Sequence, residues 1–147
     1  VEKLRKNFEL PGMKILQFAF DGNEDNPYLP KNIKGGNWVV YTGTHDNSTS
    51  VSWWENLDYE TKKRIKDEYE FSENPSWDLI EIGMNTNANL FIAPIQDLLS
   101  LDDSSRFNKP GTTKNNWKWK LNRSLEEIED NLKIFSELGN NFRRTRK

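Results

Sequence analysis

The residues most able to do chemistry stand together at the end of one apolar segment. Residues 38–42 are rich in strand-forming side chains, and the polar residues 43–47 follow them directly. This pattern predicts a buried strand whose polar end meets solvent or substrate. The end includes Asp46 and His45, the single histidine of the chain. The His45–Asp46 pair is therefore a candidate site, and a polar strand end without a chemical role is the alternative.

Further carboxylate and amide groups follow other predicted strands or lie in loops. They are Asp21, Asn26 and Asn108, and aromatic residues are frequent around them. Carboxylates and amides exchange hydrogen bonds with hydroxyl groups, whereas aromatic rings stack on the apolar face of a pyranose. A sugar site is one interpretation of this composition. Ordinary turns are the other, because Asn and Asp also dominate turns.

Several classes of site and partner are excluded by composition. The chain has 147 residues, no cysteine and a net charge of −2, so a thiolate metal site and a strongly basic nucleic-acid surface are both excluded. No phosphate-binding loop and no membrane-length apolar segment occurs in the sequence. The residues from Asp21 resemble the start of a calcium loop, but Asn26 and Asn32 stand where glycine and glutamate are required. We expect no metal, no cofactor, no nucleic acid and no membrane partner.

The elements that must position these residues alternate between strands and helices. Apolar segments at 13–20, 38–42 and 90–95 predict three buried strands, the first of them buried on both faces. Helix starts are predicted at Ser48 or Thr49, at Asp58, at Ser76 and at a Ser124 capping box. This order is typical of parallel βα units and an α/β fold. A barrel needs eight strands and ~250 residues, so three strands indicate either a small open sheet or the end of a barrel.

Five segments carry a resemblance to a known family. They are Leu10-Pro-Gly-Met-Lys-Ile-Leu-Gln-Phe-Ala-Phe20, Asn26-Pro-Tyr-Leu-Pro30, Val40-Tyr-Thr-Gly-Thr-His-Asp-Asn47, Gln96-Asp-Leu-Leu99, and Arg106-Phe-Asn-Lys-Pro-Gly-Thr112 with Asn116-Trp-Lys-Trp119. In order and spacing they resemble 4-α-glucanotransferases of the amylomaltase (disproportionating enzyme) family, glycoside hydrolase family 77. The resemblance implies that 1–147 is one partial domain, about strands six to eight at the C-terminal end of a (β/α)₈ barrel. The basic residues 140–147 would form a solvated tail.

The resemblance also implies roles for the candidate residues. The family transfers α-1,4-glucan segments to glucose or maltooligosaccharide acceptors with retention, which requires two carboxylates ~5 Å apart. Both of those carboxylates lie in motifs that this chain lacks. Asp46 matches the third carboxylate, which stabilises the transition state. His45, Asp21 and Asn108 match positions that contact glucan, and Asn26 is a weaker substrate-binding candidate.

These implications lead to expectations for the isolated chain. We expect it to be inactive, to need the missing N-terminal part of the same barrel as its partner, and to bind α-1,4-glucan or maltooligosaccharide. The alternative is a non-catalytic glucan-binding module that retains only the sugar-contacting end. The N-terminal charges are not followed by the apolar core of a signal peptide, and we expect a cytoplasmic protein. Ser48 departs from the family pattern, in which aspartate is common at this position.

Overall fold

The computed structural model describes residues 2–35 and 37–144. Its strands and α-helices are, in chain order, α1 Glu2–Asn7, β1 Gly12–Ile15, β2 Trp38–Tyr41, α2 Ser50–Glu55, α3 Tyr59–Tyr69, α4 Pro75–Met84, β3 Leu90–Ile92, α5 Ile95–Leu98 and α6 Leu125–Asn141. Short 3-10 turns occupy Leu16–Phe18, Pro30–Asn32 and Asp103–Ser105.

The three strands form one parallel sheet in the order β1-β2-β3. Val40 in the central strand pairs with Lys14 of β1 and Phe91 of β3. The predicted α/β class with parallel strands is confirmed. The first and third strands are shorter than predicted. After Ile15 the chain turns into the 3-10 helix, and Pro94, which cannot donate a ladder hydrogen bond, lies just before α5.

One face of the sheet carries the core. Val40 is fully buried there, and the residues packed around it include Leu16, Ile33 and Leu79. On the same face Phe91 lies against Gly83 of α4, where an added Cβ would come within 2.1 Å of the Phe91 ring. The helix therefore reaches the sheet closely only because residue 83 has no side chain.

The opposite face of the sheet is open. Met13 and Leu90 align across it in the strand register, and they are 55% and 50% exposed. Ile92, on the same face of β3, is 39% exposed. The prediction that β1 is buried on both faces is therefore wrong, and so is the prediction that β3 is a buried strand. Ile15, on the same face near the end of β1, is buried, so the exposure of this face is concentrated at Met13, Leu90 and Ile92.

Three of the four predicted helix starts are confirmed. The Thr49 and Asp58 side chains accept the capping hydrogen bonds of α2 and α3. Ser124 and Glu127 form the predicted capping box of α6. The prediction for Ser76 is wrong because Asn74 caps α4. Pro75 then fills the first helical position, where its missing N–H is of no consequence.

The start of the basic tail is docked on the fold. Arg144 donates to the main-chain oxygens of Met84, Thr86 and Ala88, just beyond α4. Its burial lowers the pKa of the guanidinium. The prediction of a solvated tail is wrong for Arg144, because the carbonyls left free near a helix end attract a cation. The first two residues of the predicted tail, 140 and 141, belong to α6, and residues 145–147 lie outside the described residues.

Candidate functional site

The polar end of β2 is a tight turn held by its own side chains. Asn47 Oδ1 accepts hydrogen bonds from Thr44 N at 2.9 Å and from Thr44 Oγ1 at 2.7 Å. Beneath the turn, an added Cβ at Gly43 would come within 2.7 Å of the Gln17 amide nitrogen. That amide already donates to the Ser48 carbonyl at 2.9 Å. These contacts fix the conformation of the turn. We refer to residues 43–48 as the tip.

The tip presents His45 and Asp46 to solvent beside Asn108. Asn108 Nδ2 donates to Asp46 Oδ1 at 2.6 Å, and His45 Nε2 lies 3.4 Å from the same oxygen. Asn108 N also donates to the His45 carbonyl at 3.2 Å. The side chains of His45 and Asp46 are about half exposed. Among the described residues Asp46 Oδ2 has no donor, which leaves it available to a hydroxyl group.

Arg106 joins the tip to the segment that carries Asn108. Its guanidinium donates to Asp46 O at 2.6 Å, to Asn108 O at 2.8 Å and to Ser48 Oγ at 3.0 Å. It also forms an ion pair with Asp103, at 3.3 Å. The bonds to Asp46 and Ser48 connect positions about sixty residues apart, and the bond to Asn108 O is local, so the candidate carboxylate and amide are fixed relative to each other. Arg106 belongs to the fifth motif, but no feature of the sequence marks it as a residue that joins the site.

Two further carboxylates hold the base of the tip. Asp97 is buried and accepts from Thr42 Oγ1 at 2.5 Å and from both the N–H and the hydroxyl of Ser50 at 2.8 Å. Burial raises the pKa of Asp97, and the hydrogen bonds from Thr42 and Ser50 oppose that shift. Asp103 accepts from Thr49 N at 2.9 Å. Both carboxylates therefore anchor the start of α2.

Asp21 and Asn26 form a second group after β1. Asp21 is exposed, and the Asn26 amide and the Asn23 backbone N–H hold the pKa of its carboxyl below the usual value. Asn26 is buried, donates to Phe18 O at 2.8 Å and accepts from Tyr28 N at 2.8 Å. In the part of the chain that the structure describes, no hydrogen bond or ion pair joins this group to Asp46. The substrate-binding roles of Asp21 and Asn26 stay predictions, and the bonds of Asn26 support the loop that carries Asp21.

Aromatic residues line the side of the site next to His45. The Trp117 ring lies 5.0 Å from the His45 ring and 6.1 Å from the Phe107 ring, measured between centroids. Trp119 packs edge-on against Phe107 at 5.4 Å. Trp119 is therefore partly covered by Phe107, whereas Trp117 is 63% exposed.

The arrangement can bind hydroxyl groups through a carboxylate, an amide and an imidazole. A small cavity of about 140 Å³ lies between the tip and Phe107, and Asp97 is the one carboxylate among the described residues that line it. Both Asp97 oxygens are already bonded. No group of three or more metal-ligating side chains occurs in residues 2–35 and 37–144. Across the same residues, no helix is both long enough and apolar enough to cross a membrane.

Comparisons with known proteins agree with the motifs. Residues 1–126 match the family model described as 4-alpha-glucanotransferase. The 4-alpha-glucanotransferase of Synechocystis is 43% identical over 122 residues, which are 82% of this chain and 24% of that protein. The Thermus thermophilus 4-alpha-glucanotransferase is 43% identical over 129 residues, 82% of this chain and 26% of the relative.

A solved structure also matches the described fold. Amylomaltase from Streptococcus agalactiae, in complex with acarbose, superposes with a TM-score of 0.90 and 30% identity over 99% of this chain and 30% of that chain. The chain thus spans about a quarter of the length of the curated relatives it matches. The extent of the family match and the similarity of these relatives lead to one conclusion: the chain belongs to the 4-α-glucanotransferase family, glycoside hydrolase family 77.

Proposed function

We propose that this chain forms part of the active site of a 4-α-glucanotransferase. The observation that carries the proposal is the contact among Asp46, Asn108 and His45 at the carboxyl end of a parallel strand. Ligand sites of parallel α/β sheets and barrels lie at that end. The substrate would be an α-1,4-glucan or maltooligosaccharide, and the complex of the S. agalactiae amylomaltase with acarbose, a glucan analogue, supports this substrate class.

Asp46 would stabilise the transition state. In retaining transfer the sugar ring acquires oxocarbenium character while a nucleophile and an acid/base carboxylate act on its two faces. With no donor to it among the described residues, Asp46 Oδ2 can accept a hydrogen bond from a hydroxyl of that ring. Such a bond strengthens as positive charge develops, so it lowers the barrier more than it improves ground-state binding. Asn108 and His45 would orient Asp46 and bind the same sugar, with Asp21 contacting a more distant part of the glucan.

The chain would act as about strands six to eight of a (β/α)₈ barrel and would need the preceding strands as its partner. The open sheet face with Met13 and Leu90 supports this, because the inward face of a barrel sheet is covered by the other strands. The cavity beside the tip supports it as well: among the described residues that line it, the one carboxylate is Asp97, whose oxygens are both bonded to Thr42 and Ser50, so the carboxylates for the transfer would come from the preceding strands. By itself the chain is expected to perform no transfer.

A chimera tests the activity. This chain replaces its matching segment in the T. thermophilus relative, and maltotriose disproportionation is measured. The chimera is expected to be active, and Asp46→Asn should lower kcat at least about a hundredfold with little change in KM. Asp67→Asn, on the exposed face of α3, is the matched control and should retain full activity. A chimera whose kcat is unaffected by Asp46→Asn refutes the assigned role.

The isolated chain provides the second test. Disproportionation of maltotriose by the 147 residues alone contradicts the need for a partner. Millimolar maltooligosaccharide binding by the chain, together with an inactive chimera, supports the alternative of a non-catalytic glucan-binding module. That alternative rests on the fact that Asp46, Asn108 and His45 already meet within this chain.

A further inference from the structure

Trp117 has a backbone conformation that large residues rarely adopt. Its φ is +60°, in the left-handed region that bulky L residues avoid because Cβ crowds the following carbonyl oxygen. The side chain is 63% exposed, so burial of the indole does not offset this strain. Local backbone strain of this kind persists at positions where surrounding structure imposes it, and it concentrates at functional sites.

The segment around Trp117 imposes the conformation through specific bonds. Trp117 N donates to Phe107 O at 2.7 Å. The preceding side chain, Asn116, accepts from Lys109 N at 3.0 Å and donates to Thr112 O at 2.9 Å. A long segment without regular secondary structure is thus internally cross-linked, and it holds the Trp117 ring in a fixed place rather than leaving it free to turn into a crevice.

That place is next to the candidate site. The Trp117 ring centroid is 5.0 Å from that of His45, and His45 Nε2 is 3.4 Å from Asp46 Oδ1. The imidazole therefore lies close to both the carboxylate and the indole. If one sugar ring is hydrogen-bonded to Asp46, the neighbouring ring of the same oligosaccharide can stack on the face of the indole. An aromatic face of this kind offers a large, rigid contact area at low loss of side-chain entropy.

We propose that Trp117 is a further substrate-binding residue, whose exposed ring receives the glucosyl unit adjacent to the one held by Asp46. This inference rests on the proposed function and adds a determinant of oligosaccharide length to it. Trp119 is the natural comparison, because it belongs to the same segment but packs against Phe107 and is only partly exposed.

The test uses the 147-residue protein and its single histidine. The NMR probe is the imidazole of His45, whose signals need no assignment among other histidines. Glucose and maltotriose are titrated separately into the unaltered protein, Trp117→Gly, Trp117→Phe and Trp119→Phe. Thermal unfolding of each variant is measured in parallel. Glycine is chosen because it removes the ring and also relieves the positive φ.

Trp117→Gly is expected to weaken maltotriose binding about tenfold and glucose binding less than about twofold, without lowering the unfolding midpoint. Trp117→Phe should recover most of the lost affinity, and Trp119→Phe should bind as the unaltered protein does. Unchanged maltotriose affinity in Trp117→Gly overturns the inference, as does an equal loss in Trp119→Phe. If the unaltered protein binds neither sugar, both the inference and glucan binding by the chain are refuted. If the affinity for maltotriose does not depend on Trp117, only the inference is refuted and the proposed function stands.

Discussion

Arg106→Met should loosen the site by separating the tip from the segment that carries Asn108. Besides its ion pair with Asp103, the guanidinium makes three hydrogen bonds, at 2.6 Å to Asp46 O, 2.8 Å to Asn108 O and 3.0 Å to Ser48 Oγ. The net value of each is about 1 kcal/mol. The two carbonyl acceptors can turn to water after the substitution, which reduces the loss. The ion pair with the partly exposed Asp103 adds less than about 1 kcal/mol.

The free energy of unfolding should therefore fall by about 2 kcal/mol in Arg106→Met. Methionine retains an apolar stem of similar length, so the loss reports the lost bonds rather than a cavity. Urea unfolding followed by tryptophan fluorescence measures it, and maltotriose affinity should decrease in the same variant. Arg106→Lys should restore little, because one ammonium group cannot reach three acceptors in the planar arrangement of a guanidinium.

Arg123→Met is the matched control for this experiment. Arg123 is exposed, and its substitution should change the free energy of unfolding by less than about 0.5 kcal/mol. If Arg106→Met is no more destabilised than Arg123→Met and binds maltotriose normally, the bonds of Arg106 do not position the site. A destabilised variant with normal affinity would restrict Arg106 to a role in stability.

Two further predictions concern the support of the tip. Gly43→Ala should reduce stability by about 1 kcal/mol and weaken maltotriose binding, because the new Cβ displaces the Gln17 amide from the Ser48 carbonyl. Denaturant unfolding measures the stability, and titration calorimetry measures the binding. Unchanged stability and affinity contradict the packing of Gln17 against Gly43. Asp97 has a folded-state pKa above its unfolded value, so its contribution to stability is present below the unfolded pKa and is lost as pH rises through the folded pKa. Asp97→Asn does not titrate at this position. As the pH is lowered from 7 to 4, the free energy of unfolding of the unaltered protein should therefore rise relative to that of Asp97→Asn. If denaturant unfolding gives the same difference between the two proteins at each pH, this linkage is excluded.

The parts of the fold that follow from local pattern are predictable from the sequence. The caps at Thr49, Asp58 and Ser124 are found because a side-chain oxygen stands at the start of each helical segment. The exposed face of β3 is not predictable in this way. Apolar residues such as Leu90 and Ile92 read as core residues whether or not any part of the chain covers them. The predicted cap at Ser76 is wrong because Asn74 and Pro75 offer a competing helix start two residues earlier.

For the candidate site too, residue types are predictable from the sequence, whereas long-range contacts are not. Asp46 and His45 are recognisable because reactive residue types follow an apolar strand directly, and Asn108 was added by the family resemblance. Their contact at 2.6 Å and the bonds of Arg106 depend on segments about sixty residues apart. Side-chain bonds to main-chain oxygens at such separations leave no periodic or spacing signal in a single sequence. The aromatic type of Trp117 is visible in the sequence, whereas its positive φ exists only in the folded chain.

The strand register has a consequence for the order in which the protein folds. Gly12 pairs with Trp38, and Val39 pairs with Leu90, so the second pairing closes a loop about twice as long as the first. Each doubling of loop length adds only about 0.6 kcal/mol of closure entropy, yet parallel pairings over long separations form slowly. The β1–β2 pair should consequently assemble before β3 joins it. Until then the apolar edge of β2 is unprotected, and that interval is when chains of this protein are most prone to associate with one another.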